Sequence, residues 1–472
     1  MKRLIASGFF VIYFLFSLTG QTVTVDSVRV NPFGDVFVYH VPHDTPSKLI
    51  IMISGDGGWK FGVPEFAKEF ARMNSMVVGV DILRYYRHLK QQPEDCYMLT
   101  PDFTDLATTI ERKYNFPAYV PPAVMGYSSG ATLVYGILAQ ARPGTYMGGI
   151  SLGFCPDFEL PQMFCQIHGL EEKELVKGKS YVFMPDSVLG NHWVVLHGRA
   201  DKVCDFKMVS DFVSKIPAAH LIALNGVGHG FSKWSDFMPQ WKTAYSELAA
   251  KYNEEQAVRE NNKNGLNGIP YVVTREIPPA DKNMIAIFYS GDGGWYSFEQ
   301  TISDRLAANG VSVIGIDIKK YLWNRKTPDK TASDATALLD HFSKEWNKSQ
   351  FMIIGYSLGA EIVPFILSRL PQELKSKVVS TVMLSPQEST DFEIHLTDML
   401  GIGNKRNIYN VVNEITLEKK IKQILIFGDN EKTQVPELLK GPNDKIIRIP
   451  GDHHYRRNST LIIEKMEEAK AF

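Results

Sequence analysis

The chain repeats itself, and that repeat limits its folding choices more than any other feature. Ile51-Met-Ile-Ser-Gly-Asp-Gly-Gly-Trp59 recurs as Ile287-Phe-Tyr-Ser-Gly-Asp-Gly-Gly-Trp295, 236 residues further on. Pro42 and Pro278 keep that offset, as do Asp81 and Asp317 in Val-Val-Gly-Val-Asp and Val-Ile-Gly-Ile-Asp. Past a short insertion around Cys96–Asp102, Gly126-Tyr-Ser-Ser-Gly-Ala131 matches Gly355-Tyr-Ser-Leu-Gly-Ala360 at an offset of 229. Several matches in order at nearly constant spacing mark a duplicated domain. With 472 residues, each copy has the size of one ordinary domain.

The seam is a polar stretch, Lys251 to Gly268, rich in Asn and Glu and ending in two glycines, with residues 251–267 as the linker proper. Its composition reads as a linker, which puts the two domains at 22–250 and 268–472. Within each, short apolar runs alternate with amphipathic ones. Leu49–Ser54, Met76–Asp81, Ala123–Met125, Gly149–Leu152, Trp193–His197 and Leu221–Leu224 read as buried parallel strands. Pro64–Met73, Asp102–Tyr114 and Ser129–Ala141 read as helices between them. The second copy gives the same series, which predicts a parallel sheet with helices on both faces.

Each copy carries G-x-S-x-G between an apolar strand and a helix-forming run: Ser128 in the first, Ser357 in the second. A serine on a sharp strand-to-helix turn needs glycines two residues away on either side, and the helix start then offers free N–H groups. The bland alternative is a tight turn without chemistry. The placement is that of a nucleophile, and the expected fold is two tandem α/β-hydrolase-like domains.

A nucleophilic serine needs a base, and the base needs an orienting acid; here they follow in the order Ser, acid, His. The first copy offers Asp201 in His197-Gly-Arg-Ala-Asp201, then His229 after Gly228. The second offers Glu431, three residues beyond Gly428, with Asp429 as its competitor. Matching the two turns pairs His229 with His453 and leaves His454 as a neighbour that keeps the choice open. An ordinary loop acid and turn histidine are the structural alternatives. The N–H groups of Ser129 and Leu358 are the expected oxyanion donors, and the Gly-rich loops Asp56-Gly57 and Asp292-Gly293 are the second. Asp56 and Asp292 either face the cleft, where they would meet a cationic substrate group, or cap the next helix. Trp59 and Trp295 read as packing. No cofactor is called for, and a metal at His453-His454 lacks further ligands at sensible spacing.

A net charge of −1 gives no broad basic surface for nucleic acid. Lys2 and Arg3 precede an apolar run from Leu4 to Leu18, which reads as a signal peptide over residues 1–20 and predicts export to the periplasm. Export gives the four cysteines, all in the first copy, three pairings if oxidised, against four buried thiols. Oligomeric state is left open.

Gly291-Asp-Gly-Gly-Trp295, Gly355-Tyr-Ser-Leu-Gly-Ala-Glu-Ile-Val-Pro-Phe365, Arg325-Lys-Thr-Pro-Asp329 and Gly451-Asp-His-His-Tyr455 resemble segments of the bacterial virulence protein VirJ/AcvB family. The first copy looks like a diverged relative. The resemblance implies a periplasmic α/β hydrolase acting on aminoacylated phosphatidylglycerol, notably the lysyl form, with a link to virulence and secretion systems. Carried across, Ser357 is the nucleophile, with His453 and the Glu431 region. Glu361 stands where the family usually has Asp, and with Asp292 it would suit a cationic aminoacyl group.

Overall fold

Two large sheets, one per copy, carry the fold of this computed structural model, which describes residues 22–42, 47–60, 62–92, 95–261, 266, 268–279, 281–395, 408–439 and 444–472. The first has eight strands in the spatial order Thr24–Val30, Gly34–His40, Met76–Val80, Leu49–Ile53, Ala123–Tyr127, Gly148–Leu152, Trp193–Gly198 and Ala219–Leu224. The second has seven: Tyr271–Thr274, Ser312–Ile316, Met284–Tyr289, Gln350–Tyr356, Val378–Leu384, Lys422–Gly428 and Asp444–Ile449. Central strands pair in parallel and are buried on both sides, which is why Leu49–Ile53 and Met76–Val80 read as unbroken apolar runs. Apolar clusters fill the space between each sheet and its helices on both faces. This is the expected α/β-hydrolase architecture, twice.

Three features depart from the sequence pattern. An antiparallel hairpin, Thr24–Val30 with Gly34–His40, closes one edge of the first sheet. A small three-stranded sheet of Asp157–Phe158, Glu172–Val176 and Ser180–Phe183 occupies an excursion between two core strands. The stretch read as a linker starts as helix: Met238–Asn261 runs into it, because Glu254, Glu255, Gln256 and Ala257 are good helix formers. Tyr252 packs on the first core there, and the Glu255 carboxylate lies 2.7 Å from His192 Nε2. Segment 1–20 lies outside the described residues, and no helix of the described residues is long and apolar enough to cross a membrane. The cysteines pair as Cys96–Cys165 and Cys155–Cys204.

The halves dock through helix Leu99–Lys113 and its following loop. Trp323 of the second half sits in the first half's core, its Nε1–H donating to the Phe116 carbonyl at 2.9 Å under the Arg112 guanidinium. Tyr296 donates its hydroxyl to Thr104 Oγ1 at 2.6 Å, and Asn324 donates to the Pro117 carbonyl at 3.0 Å.

Glu172, buried in the three-stranded sheet, receives the Phe164 N–H on both oxygens. Burial pushes its carboxyl up to about 8, against the opposing pull of that N–H. A folded-state value above the unfolded one means the folded state holds the proton more tightly. The associated stability is full below the unfolded value and is lost as pH rises through about 8, on the order of 5 kcal/mol in all. Glu172→Gln keeps an acceptor and removes the titration. Its advantage in unfolding midpoint over the parent chain should grow from pH 5 to pH 8.5. An advantage that does not change with pH would refute the assignment.

Candidate active site

Strand Gln350–Tyr356 and helix Leu358–Arg369 are separated by Ser357 alone, held at φ 50°, ψ −121°. Ser128 stands between Ala123–Tyr127 and Ser129–Gln140 at φ 54°, ψ −123°. Such left-handed geometry is uncommon for a residue with a side chain and gathers at functional sites. The flanking glycines are there for space: a Cβ on Gly355 would lie 2.3 Å from the Gly359 carbonyl oxygen. One on Gly359 would lie 2.3 Å from the Tyr289 and Ser290 carbonyl oxygens. The turn therefore packs backbone against backbone and lifts the serine out of the sheet end.

Around Ser357 the structure brings together two of the residues expected there. His453 Nε2 lies 2.9 Å from Ser357 Oγ, and His453 Nδ1 lies 2.7 Å from Glu431 Oε1. The other carboxylate oxygen of Glu431 accepts from Ser385 Oγ at 2.6 Å and from the Gly428 N–H at 3.3 Å. Tyr455 hydrogen-bonds Ser385 in turn and donates to the Ile426 carbonyl at 2.7 Å. Asp429 is exposed and takes no part. His454 turns aside, its Nδ1 2.8 Å from the Tyr356 hydroxyl.

The first half repeats the arrangement. Ser128 Oγ lies 2.9 Å from His229 Nε2, and His229 Nδ1 lies 2.8 Å from Asp201 Oδ2. Asp201 Oδ1 accepts the N–H groups of Val203 at 2.9 Å and Cys204 at 3.0 Å. Burial pushes the Asp201 carboxyl up, but hydrogen bonds from the Cys204 N–H, the His229 ring and the Val203 N–H outweigh it and hold it below the usual range. Asp201, Cys204 and His229 lie together, but Cys204 is tied in a disulfide and the other two serve one another, which is a poor metal set.

The Gly-Asp-Gly-Gly-Trp loops lie beside the serines. A Cβ on Gly55 would come within 3.0 Å of Ser128 Cβ, and one on Gly291 within 3.6 Å of Ser357 Cβ. Trp59 and Trp295 pack as expected, each filling the space above a glycine of the next strand. A Cβ on Gly79 or Gly315 would fall 2.1 Å from the indole. That explains why the loop recurs together with Val-x-Gly-x-Asp. Neither aspartate caps the following helix: Gly62 starts one, and the Glu299 carboxylate accepts the Tyr296 N–H at the other. Asp56 and Gly57 are exposed. Gly293 turns its N–H onto the Asp292 carboxylate at 3.0 Å, so that donor is engaged rather than free for an oxyanion. The Leu358 and Ser129 N–H groups begin helices, where the first turn has no intrahelical acceptor. Glu361 is 1% exposed and does not line the space above Ser357, so a substrate cation has no access to it.

That space is a cavity of about 230 Å³ floored by Ser357, Tyr356, His453 and His454 and walled by Asp292, Gly293 and Phe298. Tyr296, Ser297 and Glu299 extend that wall, and the other half adds Pro101 and Asp105 of helix Leu99–Lys113. Burial lifts the Asp105 carboxyl to about 7, against the pull of Lys319 and with the repulsion of Asp292 and Asp102. A wider cleft of about 940 Å³ continues from Pro101, Ser297 and Phe298 to Arg456 and His88. A cavity of about 420 Å³ elsewhere between the halves holds none of the six triad-forming residues. Asp105 has no sequence signal: it lies on an amphipathic helix whose distant partner no local pattern reveals.

Among solved structures, Est1E from Butyrivibrio proteoclasticus is similar at 13% identity, covering 48% of this chain and 99% of its own, with a TM-score of 0.33. The Pyrococcus furiosus esterase Pf2001 is similar at 17% identity, covering 43% and 91%, with a TM-score of 0.33. A lipase-esterase related protein from Clostridium acetobutylicum is similar at 15%, covering 43% and 99%, with a TM-score of 0.32. No curated protein matches. The model of the family described as bacterial virulence protein (VirJ) matches residues 47–144 and 283–471, taking in both serine turns and more than half of the chain. With its duplicated α/β-hydrolase architecture, the chain belongs to the bacterial virulence protein (VirJ) family.

Proposed function

We propose that this chain is an exported serine hydrolase that cleaves an ester at Ser357, with Ser128 in a second set of the same geometry. The observation that carries the reading is the contact chain Ser357–His453–Glu431 at 2.9 and 2.7 Å, opening into a cavity of about 230 Å³. His453 takes the proton from Ser357 Oγ as that oxygen attacks the ester carbonyl. The Leu358 N–H receives the developing oxyanion. Collapse expels the alcohol, which collects its proton from His453, and water activated by the same histidine releases the acyl group. Glu431 keeps the proton of His453 on Nδ1 and stabilises the imidazolium that forms.

The substrate class we favour is an aminoacyl ester on a membrane lipid, lysyl-phosphatidylglycerol in particular, supported by the family and by the carboxylates beside Ser357. The Lys2-Arg3 start and the apolar run to Leu18 support periplasmic action. Membership of a virulence family supports association with secretion systems.

A fluorophosphonate probe tests the nucleophiles. The parent chain should take label, Ser128→Ala and Ser357→Ala should each lose part of it, and the double variant should take none. Loss of all label in Ser357→Ala alone would make the first half a support. A parent chain that takes no label would overturn the hydrolase reading in favour of a binding module.

A further inference from the structure

The cavity above Ser357 is built by both halves, and the first half contributes a charge to it. Asp105 is the fourth residue past Pro101 on helix Leu99–Lys113, and both line the cavity. Among the described residues no hydrogen bond or ion pair engages its carboxylate, although burial there is deep enough to disfavour ionisation. Lys319, whose positive charge pulls the Asp105 carboxyl down, stands outside the cavity lining. Its Nζ donates to the Tyr296 hydroxyl at 2.7 Å and rests 4.5 Å from the Tyr119 ring centre. Asp292 adds a further carboxylate to the cavity, which among the described residues accepts only the neighbouring Gly293 N–H. Asp105 and Asp292 flank a half-open space beside a nucleophile. Glu299 also lines it, but its carboxylate is taken up by the Gly291 and Tyr296 N–H groups. Among the described residues no Lys or Arg lines the space, which leaves the site short of positive charge.

We propose that Asp105 of the first half and Asp292 of the second form a subsite for an ammonium group of the ester held at Ser357, so that one half sets the charge preference of the other half's site. The inference rests on Ser357 acting as the nucleophile. It also gives the docking of the halves a function: without helix Leu99–Lys113 the cavity would lose a wall and the Asp105 carboxylate. Because the Asp105 carboxyl titrates near 7, it is mostly neutral at pH 6 and mostly ionised at pH 8. Preference for a cationic ester should therefore rise with pH through about 7. Asp292, Asp102 and Lys319 share its field. Glu299, itself lifted to about 7 by burial, lines the same cavity with His453 and His454. The part of the rise that belongs to Asp105 is therefore the part its substitution removes. His453 serves cationic and neutral esters alike, so its contribution cancels in their ratio.

The test uses the full chain carrying Ser128→Ala, with p-nitrophenyl 6-aminohexanoate and p-nitrophenyl hexanoate as matched esters. Asp105→Asn should lower the ratio of kcat/KM for the cationic over the neutral ester about tenfold and flatten its rise with pH. Asp105→Glu should restore much of both. An unchanged ratio in Asp105→Asn, or equal losses on both esters, would overturn the subsite while leaving the hydrolase reading intact. If the parent chain cleaves neither ester, the hydrolase reading is what fails. The subsite is then judged by calorimetric titration with hexylammonium: binding that Asp105→Asn abolishes supports it, and no binding to the parent chain overturns it.

Discussion

His453→Ala lowers kcat for ester hydrolysis about 10⁴-fold in a chain carrying Ser128→Ala, whereas His454→Ala costs less than about tenfold. The two histidines are chain neighbours with different partners. His453 bridges Ser357 Oγ and Glu431, while His454 meets the Tyr356 hydroxyl. Glu431→Gln should cost about 10³- to 10⁴-fold, for a reason the hydrogen bonds make specific. Ser385 and the Gly428 N–H both donate to one carboxylate oxygen, so the introduced amide would keep its oxygen there. Its NH₂ would then face His453 Nδ1, moving the ring proton to Nε2, where it blocks acceptance from Ser357. Asp429→Asn, on an exposed side chain, should change kcat less than about twofold. Steady-state kinetics on one neutral ester decides the matter. Equal losses in the two histidine variants would mean that His453 is not the base.

Much of this was legible because chemistry and packing leave the same marks in both copies. The glycines beside Ser128 and Ser357 are forced by carbonyl oxygens 2.2 to 2.5 Å from where a Cβ would stand. The tryptophans of the repeated loops recur because each needs a bare glycine on the next strand. A four-residue choice, Asp429 or Glu431 with His453 or His454, stayed open in the sequence because either acid and either histidine satisfies the order of the motif. Only the direction of the side chains separates them. The edge hairpin escaped the motif-led pattern, although Val28 and Val30 alternate with exposed neighbours as half-buried strands do. The polar composition of residues 251–267 pointed to a linker, but helix propensity and one half-buried tyrosine, Tyr252, carry the chain in helix to Asn261. Asp105 belongs to a different class. Its role depends on the docking of two halves through Trp323, Arg112 and Tyr296, contacts between residues some 190 to 210 apart. Such contacts leave no periodicity for a single sequence to display.

The tightness of the serine turn makes a second large effect calculable from geometry. Gly359→Ala places a methyl group inside helix Leu358–Arg369, where helix propensity alone would favour alanine by about 1 kcal/mol. The Cβ would stand 2.3 Å from two carbonyl oxygens, those of Tyr289 and Ser290. Neither oxygen can retreat easily, because Met284–Tyr289 is hydrogen-bonded on both sides, to Ser312–Ile316 and to Gln350–Tyr356. The overlap must be relieved by lifting the helix start from the sheet, which costs about 3 kcal/mol or more and outweighs the propensity gain. The same movement shifts Ser357 and the Leu358 N–H, so activity should fall with stability. Gly230→Ala is the contrast: its added methyl meets nothing within 4 Å, and the change should stay within about 0.5 kcal/mol. Urea unfolding followed by far-UV circular dichroism, with ester hydrolysis on the same samples, reads both quantities. If Gly359→Ala proved as stable and active as the parent chain, the backbone contact could not be what requires the glycine. The recurrence of G-x-S-x-G in both copies would then need another cause.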